Sequence, residues 1–137
     1  MKNNVSISWL NEMAFEAEVN DHKLYLDASA EHGGKNMGPR PKPLLLLALA
    51  GCTAMDVISV LKKMRVEVKS FDVEVEGDLM EEHPKKYSAM KVIYSFTGDV
   101  PRDKAEKAVN LSRERYCGVS AMFSEILEID YEIKINE

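Results

Sequence analysis

The segment GPRPKPLLLLALAGCTAMDVISVLKKMR, residues 38–65, decides the fold expected of this chain. Its three prolines impose an extended lead-in, because each proline fixes its own φ and disfavours helix in the residue before it. From Leu44 to Leu61 only Gly51 weakens a helix, and Asp56 is the only charged residue. The run ends on basic side chains, which complement the dipole at a helix C-terminus. The segment therefore predicts one long helix.

This helix is apolar around its whole circumference, so it has to be buried on every side. A chain of 137 residues can hardly surround such a helix alone, and a partner subunit is expected. A membrane span is the alternative, since the length touches the lower limit for a bilayer. The polar residues inside it (Thr53, Asp56, Ser59) and the flanks favour a buried helix of a soluble protein, and the segment starts too late to be a signal peptide. No membrane association is expected.

The composition is that of an ordinary globular chain, and it suits a single domain spanning residues 1–137. The net charge of −5 and the isoelectric point near 5.3 argue against nucleic acid as a partner, because no basic surface is available to neutralise phosphates. Two cysteines do not make a disulfide framework of the secreted kind. Since no targeting segment is visible, a cytoplasmic location is expected.

Apolar periodicity predicts six strands and two further helical segments around the long helix. In order these are the strands Val5–Trp9, Phe15–Val19 and Leu24–Leu26, then after the long helix the strands Val66–Glu76 and Tyr87–Phe96, the helical segments Pro101–Tyr116 and Val119–Ile126, and the strand Leu127–Ile135. Residues 28–38, rich in glycine, predict a mobile loop. The fold class is α+β in the order βββ-α-ββ-α(α)-β, with a largely antiparallel sheet wrapped on the long buried helix.

The two cysteines are the sharpest candidates for chemistry. A free cysteine on an apolar helix, such as Cys52, is most often a small buried hydrophobe. Cys117 differs, because Gly118 suggests a helix break beside the sulfur. If Cys117 starts the next helical segment, the amide dipoles there are expected to lower its pKa. A peroxide-reducing pair needs one thiolate to form a sulfenic acid and a second thiol to condense with it, with Cα atoms within about 7 Å.

Other candidate groups surround this pair in the sequence. Asp56 follows Cys52 by one helical turn; it is either a proton-handling group of the site or a carboxylate paired with a backbone donor or an arginine. Left unpaired, it raises the pKa of a neighbouring thiol. Arg40, Arg113 and Arg115 are the candidate cations. The three histidines are dispersed and show no ligand spacing with either cysteine, so no metal site and no cofactor is predicted.

Two separated motifs carry a resemblance to a known family. The first is Pro39-Arg40-Pro41, followed by the leucine-rich helix and GCTAMDV at residues 51–57, and the second is RYCGVS at residues 115–120. In this order they resemble the OsmC/Ohr family, the osmotically inducible and organic hydroperoxide resistance proteins. The resemblance covers nearly the whole chain and is closest to the general OsmC-like branch.

The resemblance implies an intertwined homodimer in which strands of both subunits wrap two central helices. It also implies thiol-dependent reduction of organic hydroperoxides, with Cys52 as the attacking thiol, Cys117 as the resolving thiol, and a dithiol as reductant. Two features differ from the family's pattern. Peroxidases of the family have an acidic residue near the start of the long helix, where this chain has Lys42-Pro43-Leu44. They also use an arginine from an earlier segment, whereas this chain has none before Arg40, which is the candidate to stabilise the thiolate.

Two functions therefore remain open. The first is a cytoplasmic, homodimeric, cysteine-based hydroperoxide reductase that serves in oxidative-stress defence. The second keeps the fold but makes the protein a non-catalytic binding protein, which holds an apolar or acylated small molecule in the dimer cleft. The presence of both cysteines in their motifs favours the reductase, and the missing acidic residue favours the binding protein.

Overall fold

The computed structural model describes residues 1–136. The chain forms two compact units, one from Met1 to Leu45 and one from Leu46 onward. The elements in chain order are β1 (Val5–Asn11), β2 (Ala14–Val19), β3 (His22–Leu26), α1 (Pro43–Lys63), β4 (Ser70–Leu79), β5 (Tyr87–Thr97), α2 (Arg102–Leu111), α3 (Gly118–Ser124) and β6 (Glu128–Asn136). A short 3₁₀ turn, Ala30–His32, precedes α1, and a π-helical turn, Ser112–Tyr116, links α2 to α3. Whether both units belong to one domain, as the sequence predicts, stays a prediction.

The predicted α+β class and the order of the elements are confirmed. The strands form two sheets of three, in the orders β1-β2-β3 and β4-β5-β6. Every neighbouring pair is antiparallel except β5 and β6, which run parallel. The parallel pair follows from the connection, because the helical segment between these strands carries the chain back to the end where β5 began.

The first unit is a three-stranded meander followed by a loop that is tied to one carboxylate. Asp27, directly after β3, is only 5% exposed. Its Oδ1 accepts the N–H of Ala28 at 2.7 Å, and its Oδ2 accepts the N–H groups of Lys35 and Met37 at 3.2 and 3.1 Å. The loop predicted to be mobile is thus held by backbone N–H groups that donate to the carboxylate of Asp27. Burial alone raises the pKa of Asp27, but these N–H donors and the charge of Arg40 outweigh it and hold the pKa below its usual value.

We expect Asp27→Asn to lower the melting temperature at neutral pH and to lower it less in acid. A carboxyl group whose pKa is depressed by folding stabilises the protein above its unfolded-state pKa, and this contribution is lost as the pH falls through the folded-state value. The difference in melting temperature between wild type and variant should therefore shrink as the pH falls below about 4. The exposed control Asp72→Asn should show no such trend. If Asp27→Asn lowers the melting temperature as much in acid as at neutral pH, the proposed stabilisation by the Asp27 carboxylate is contradicted.

The second unit holds the hydrophobic core. Its fully buried apolar side chains come from α1, β5 and α2: Leu49, Val57, Leu61, Val92, Tyr94, Phe96, Ala105, Ala108 and Val109. On β5, Tyr94 and Phe96 point to the same face because side chains alternate along a strand. The ring of Phe71, from β4, stacks on that of Phe96 with centroids 4.6 Å apart. These contacts fix α1 and α2 against the sheet and so set the position of every group that α1 carries.

Helix α1 is buried along one side only within a single chain. Its buried residues are Leu49, Thr53, Val57, Val60 and Leu61. On other sides, Leu47 and Met55 remain 64% and 76% exposed. By length and composition alone, α1 is also the one helix among residues 1–136 that could cross a membrane, a test that core helices of soluble proteins pass as well.

Candidate functional site

Three reactive side chains meet in the second unit. The sulfurs of Cys52 and Cys117 and a carboxylate oxygen of Asp56 all lie within 4.8 Å of one another. Both cysteines are free thiols. Spacing along the sequence could not establish this proximity, which a cysteine pair needs in order to form a disulfide.

The local structure explains how each group reaches the site. Cys52 and Asp56 are four residues apart on α1, so they lie on the same face of the helix. Cys117 is placed by the π-helical turn, which closes with its N–H donated to the carbonyl of Ser112 at 2.8 Å. It then adopts an extended conformation as the N-cap of α3, and its Sγ accepts the N–H of Ser120 at 3.3 Å.

The two thiols differ in burial. Cys117 is 3% exposed, whereas Cys52 is only half-buried. Burial, together with a hydrogen bond to Cys52 and the negative charges of Cys52 and Asp56, raises the pKa of Cys117 to about 12. The expectation that the start of a helix lowers this pKa is wrong. The single N–H of Ser120 does oppose the rise, but burial outweighs it.

Buried hydroxyl groups form a hydrogen-bonded chain that ends at the carboxylate of Asp56. The hydroxyl of Tyr94 lies 2.7 Å from that of Thr53, and Thr53 Oγ1 lies 2.8 Å from Ser112 Oγ. Ser112 donates to Asp56 Oδ2 at 2.9 Å. Because each hydroxyl has one proton, this last bond fixes the direction of the chain: Thr53 donates to Ser112, and Tyr94 donates to Thr53. Burial raises the pKa of Tyr94 above its usual value, so its phenol keeps the proton that it donates.

The partner of Asp56 is therefore the hydroxyl of Ser112. Among residues 1–136, Asp56 pairs with neither a backbone donor nor an arginine. Thr53, Ser112 and Tyr94 were not predicted as part of the site. The sequence offers one signal for Thr53, a polar residue on the apolar helix beside Cys52. It offers none for Ser112, whose contact with Asp56 joins residues 56 positions apart.

The candidate cations lie in different surroundings. Arg40, in the first unit, donates from its guanidinium to the carbonyl of Gly38 at 2.8 Å and to Asn36 Oδ1 at 2.6 Å. Its role in stabilising a thiolate stays a prediction. In the second unit, Arg113 lies over the ring of Tyr131 with its guanidinium carbon 3.6 Å from the centroid.

The chain belongs to the OsmC-like protein family, whose sequence profile matches residues 33–132. It is 30% identical over 131 residues to Protein YhfA of Escherichia coli K12, a match that covers 94% of this chain and 95% of the relative. The family resemblance deduced from the two cysteine motifs is thereby confirmed.

Solved structures agree with the fold. A hypothetical protein from Aquifex aeolicus superimposes with a TM-score of 0.87 at 29% identity, covering 98% of this chain and 96% of its own. The organic hydroperoxide resistance protein OhrB of Bacillus subtilis superimposes with a TM-score of 0.70 at 20% identity, covering 98% of both chains. At that identity the second likeness shows the fold alone.

Proposed function

We propose that this protein is a cytoplasmic, homodimeric reductase of organic hydroperoxides that uses Cys52 and Cys117. The observation that carries the proposal is the proximity of the two free thiols, whose sulfurs lie within 4.8 Å although the residues come from different elements. Membership of the OsmC-like family supports it, since a protein of this fold from Bacillus subtilis is described as an organic hydroperoxide resistance protein.

The proposed reaction has two steps on the protein. The Cys52 thiolate attacks one oxygen of the hydroperoxide, the O–O bond breaks, and the departing alkoxide takes up a proton to leave as an alcohol. Cys52 is then a sulfenic acid. The Cys117 thiol attacks that sulfur, and water leaves as the disulfide forms. An external dithiol reduces the disulfide and is itself oxidised, which completes the cycle.

Burial supports this assignment of roles. The attacking thiol has to meet a substrate from solution, and Cys52 is the more exposed of the two. Cys117 is almost fully buried beside it, which suits a thiol whose only target is the neighbouring sulfenic acid. Arg40 is the residue that we propose to stabilise the Cys52 thiolate.

The test is turnover of cumene hydroperoxide by the full chain with dithiothreitol as reductant. We expect consumption of peroxide at a rate proportional to protein concentration, and slower consumption of hydrogen peroxide because it lacks the apolar group. If neither peroxide is consumed above the rate of dithiothreitol alone, the reductase proposal fails. The hypothesis of a binding protein for an apolar or acylated small molecule would then replace it.

Apolar surface on both units supports the homodimer. In the first unit, Val5, Ile7 and Trp9 project from one face of β1 and are all exposed. In the second unit, α1 exposes Leu47 and Met55. Large apolar side chains grouped in this way are typical of protein interfaces. A second copy of the chain, covering α1, would also meet the requirement that this apolar helix be buried.

We expect Leu47→Glu to shift the protein from dimer to monomer in sedimentation velocity. Placing a charge in an apolar interface leaves it without a partner, and this cost is large compared with the loss of one leucine contact. The control Lys62→Glu introduces the same side chain at the exposed basic end of the same helix and should leave the dimer intact. A dimer of unchanged affinity in Leu47→Glu would contradict the proposed interface on α1.

A further inference from the structure

We infer that Cys52, Cys117 and Asp56 together form a binding site for Zn²⁺ in the reduced protein. The inference goes beyond the proposed reductase and does not depend on it, since it concerns the same thiols in the absence of peroxide. The sequence predicts no metal, because none of its three histidines shows ligand spacing with a cysteine. The structure instead brings a carboxylate to the two cysteines.

The geometry is that of a three-ligand zinc site. Zinc binds thiolate sulfur at about 2.3 Å and carboxylate oxygen at about 2.0–2.2 Å in a tetrahedral arrangement, which places neighbouring ligand atoms about 3.6–3.8 Å apart. The three ligand atoms here already lie within 4.8 Å of one another. Small rotations of the side chains therefore bring them to bonding positions. The fourth position stays open for water.

The ligands come from rigid elements. Cys52 and Asp56 occupy positions i and i+4 of α1, a spacing that lets one helix provide two ligands to one ion. Cys117 is fixed as the N-cap of α3. This combination, two ligands from a helix and a third from a distant segment, holds the three groups in place before the ion arrives.

A second set of contacts orients the ligands. The hydroxyl of Ser112 donates to Asp56 Oδ2 and so orients the carboxylate. The N–H of Ser120 donates to the sulfur of Cys117. Hydrogen bonds of this kind to metal ligands commonly contribute 10- to 100-fold in affinity.

Charge favours a soft divalent cation at this position. Two thiolates and a carboxylate bring three negative charges together, and Zn²⁺ between them converts their mutual repulsion into attraction. Binding releases the proton of each thiol, so two protons leave for each ion bound. Sulfur ligands select zinc over magnesium or calcium, which prefer oxygen.

The test is a titration of the reduced, metal-free full chain with Zn²⁺ under anaerobic conditions, in competition with a chromophoric chelator. We expect one Zn²⁺ per chain. Asp56→Asn, which keeps the shape of the side chain, should weaken binding about tenfold or more, and Cys52→Ser and Cys117→Ser more strongly still. Circular dichroism establishes that each variant is folded, and the exposed control Asp72→Asn should bind as the wild type does.

Two further measurements separate this site from an unspecific one. Co²⁺ bound to the wild type should show the absorption of a tetrahedral thiolate complex, and alkylation of both thiols with N-ethylmaleimide should abolish it. Unchanged Zn²⁺ affinity in Cys52→Ser, or in Asp56→Asn, would overturn the three-ligand site. Because the zinc titration contains no peroxide, its failure would leave the reductase proposal untouched. Failure of the peroxide assay would likewise leave the zinc site untouched.

Discussion

Cys52→Ser should abolish the peroxide-dependent oxidation of dithiothreitol, with kcat/KM for cumene hydroperoxide reduced about 10³-fold or more. The reason is that the serine hydroxyl stays protonated at neutral pH, whereas a thiol ionises far more readily and its thiolate is intrinsically nucleophilic. The hydrogen-bonded chain of hydroxyls nearby ends on Asp56 and does not include Cys52, so the substitution should leave the fold unchanged.

The matched variant is Cys117→Ser, which removes the second thiol and leaves the first. It should consume one equivalent of peroxide quickly and then stop or turn over slowly, because the Cys52 sulfenic acid has no resolving thiol. Stopped-flow measurement of peroxide loss over the first turnover distinguishes the two variants. Full activity in Cys52→Ser, or loss of the first turnover in Cys117→Ser alone, would contradict the assigned roles.

Tyr94→Ala should lower the free energy of unfolding by about 3–5 kcal/mol, the cost typical of removing a fully buried aromatic ring. Tyr94 has no exposed surface, and its ring stacks on those of Phe71 and Tyr131 with centroids 6.5 and 6.3 Å apart. A loss of this size is a large fraction of the stability of an ordinary domain. Urea-induced unfolding followed by circular dichroism, at one fixed protein concentration, measures it.

Tyr94→Phe separates the ring from the hydroxyl. The variant keeps the stacked ring and removes only the donor to Thr53, which remains bonded to Ser112. We expect a loss of about 1–2 kcal/mol, in the range for one buried hydrogen bond. Equal losses in Tyr94→Phe and Tyr94→Ala would show that the ring contributes little, contrary to the packing described here.

The elements of this fold could be predicted where local pattern decides them. The unbroken apolar run predicts α1, and the strict alternation of apolar and polar residues over Leu127–Ile135 predicts the strand found as β6, Glu128–Asn136. The predicted helical segment Pro101–Tyr116 is found as α2 followed by the π-helical turn Ser112–Tyr116, and nothing in the composition of that turn distinguishes it from an α-helix. The parallel pairing of β5 with β6 could likewise not be predicted from the sequence of either strand, because it depends on the path of the helices between them.

The site could be predicted only in part for the same reason. The motifs around Cys52 and Cys117 single out both thiols, but their contact depends on how α1 packs against the turn before α3. The high pKa of Cys117 follows from burial, which local sequence does not report. Asp56 could be placed beside Cys52 by helical spacing alone, whereas its partner Ser112 could not.

In the proposed reaction, hydroperoxide oxidises Cys52 and Cys117 then resolves the sulfenic acid. The most direct measurement is mass spectrometry of the reduced protein, quenched and alkylated at short times after one equivalent of cumene hydroperoxide. We expect an intramolecular Cys52–Cys117 disulfide in the wild type and a trapped sulfenic acid on Cys52 in Cys117→Ser. If both thiols remain reduced while the peroxide persists, the assignment of Cys52 and Cys117 as a peroxide-reducing pair is wrong.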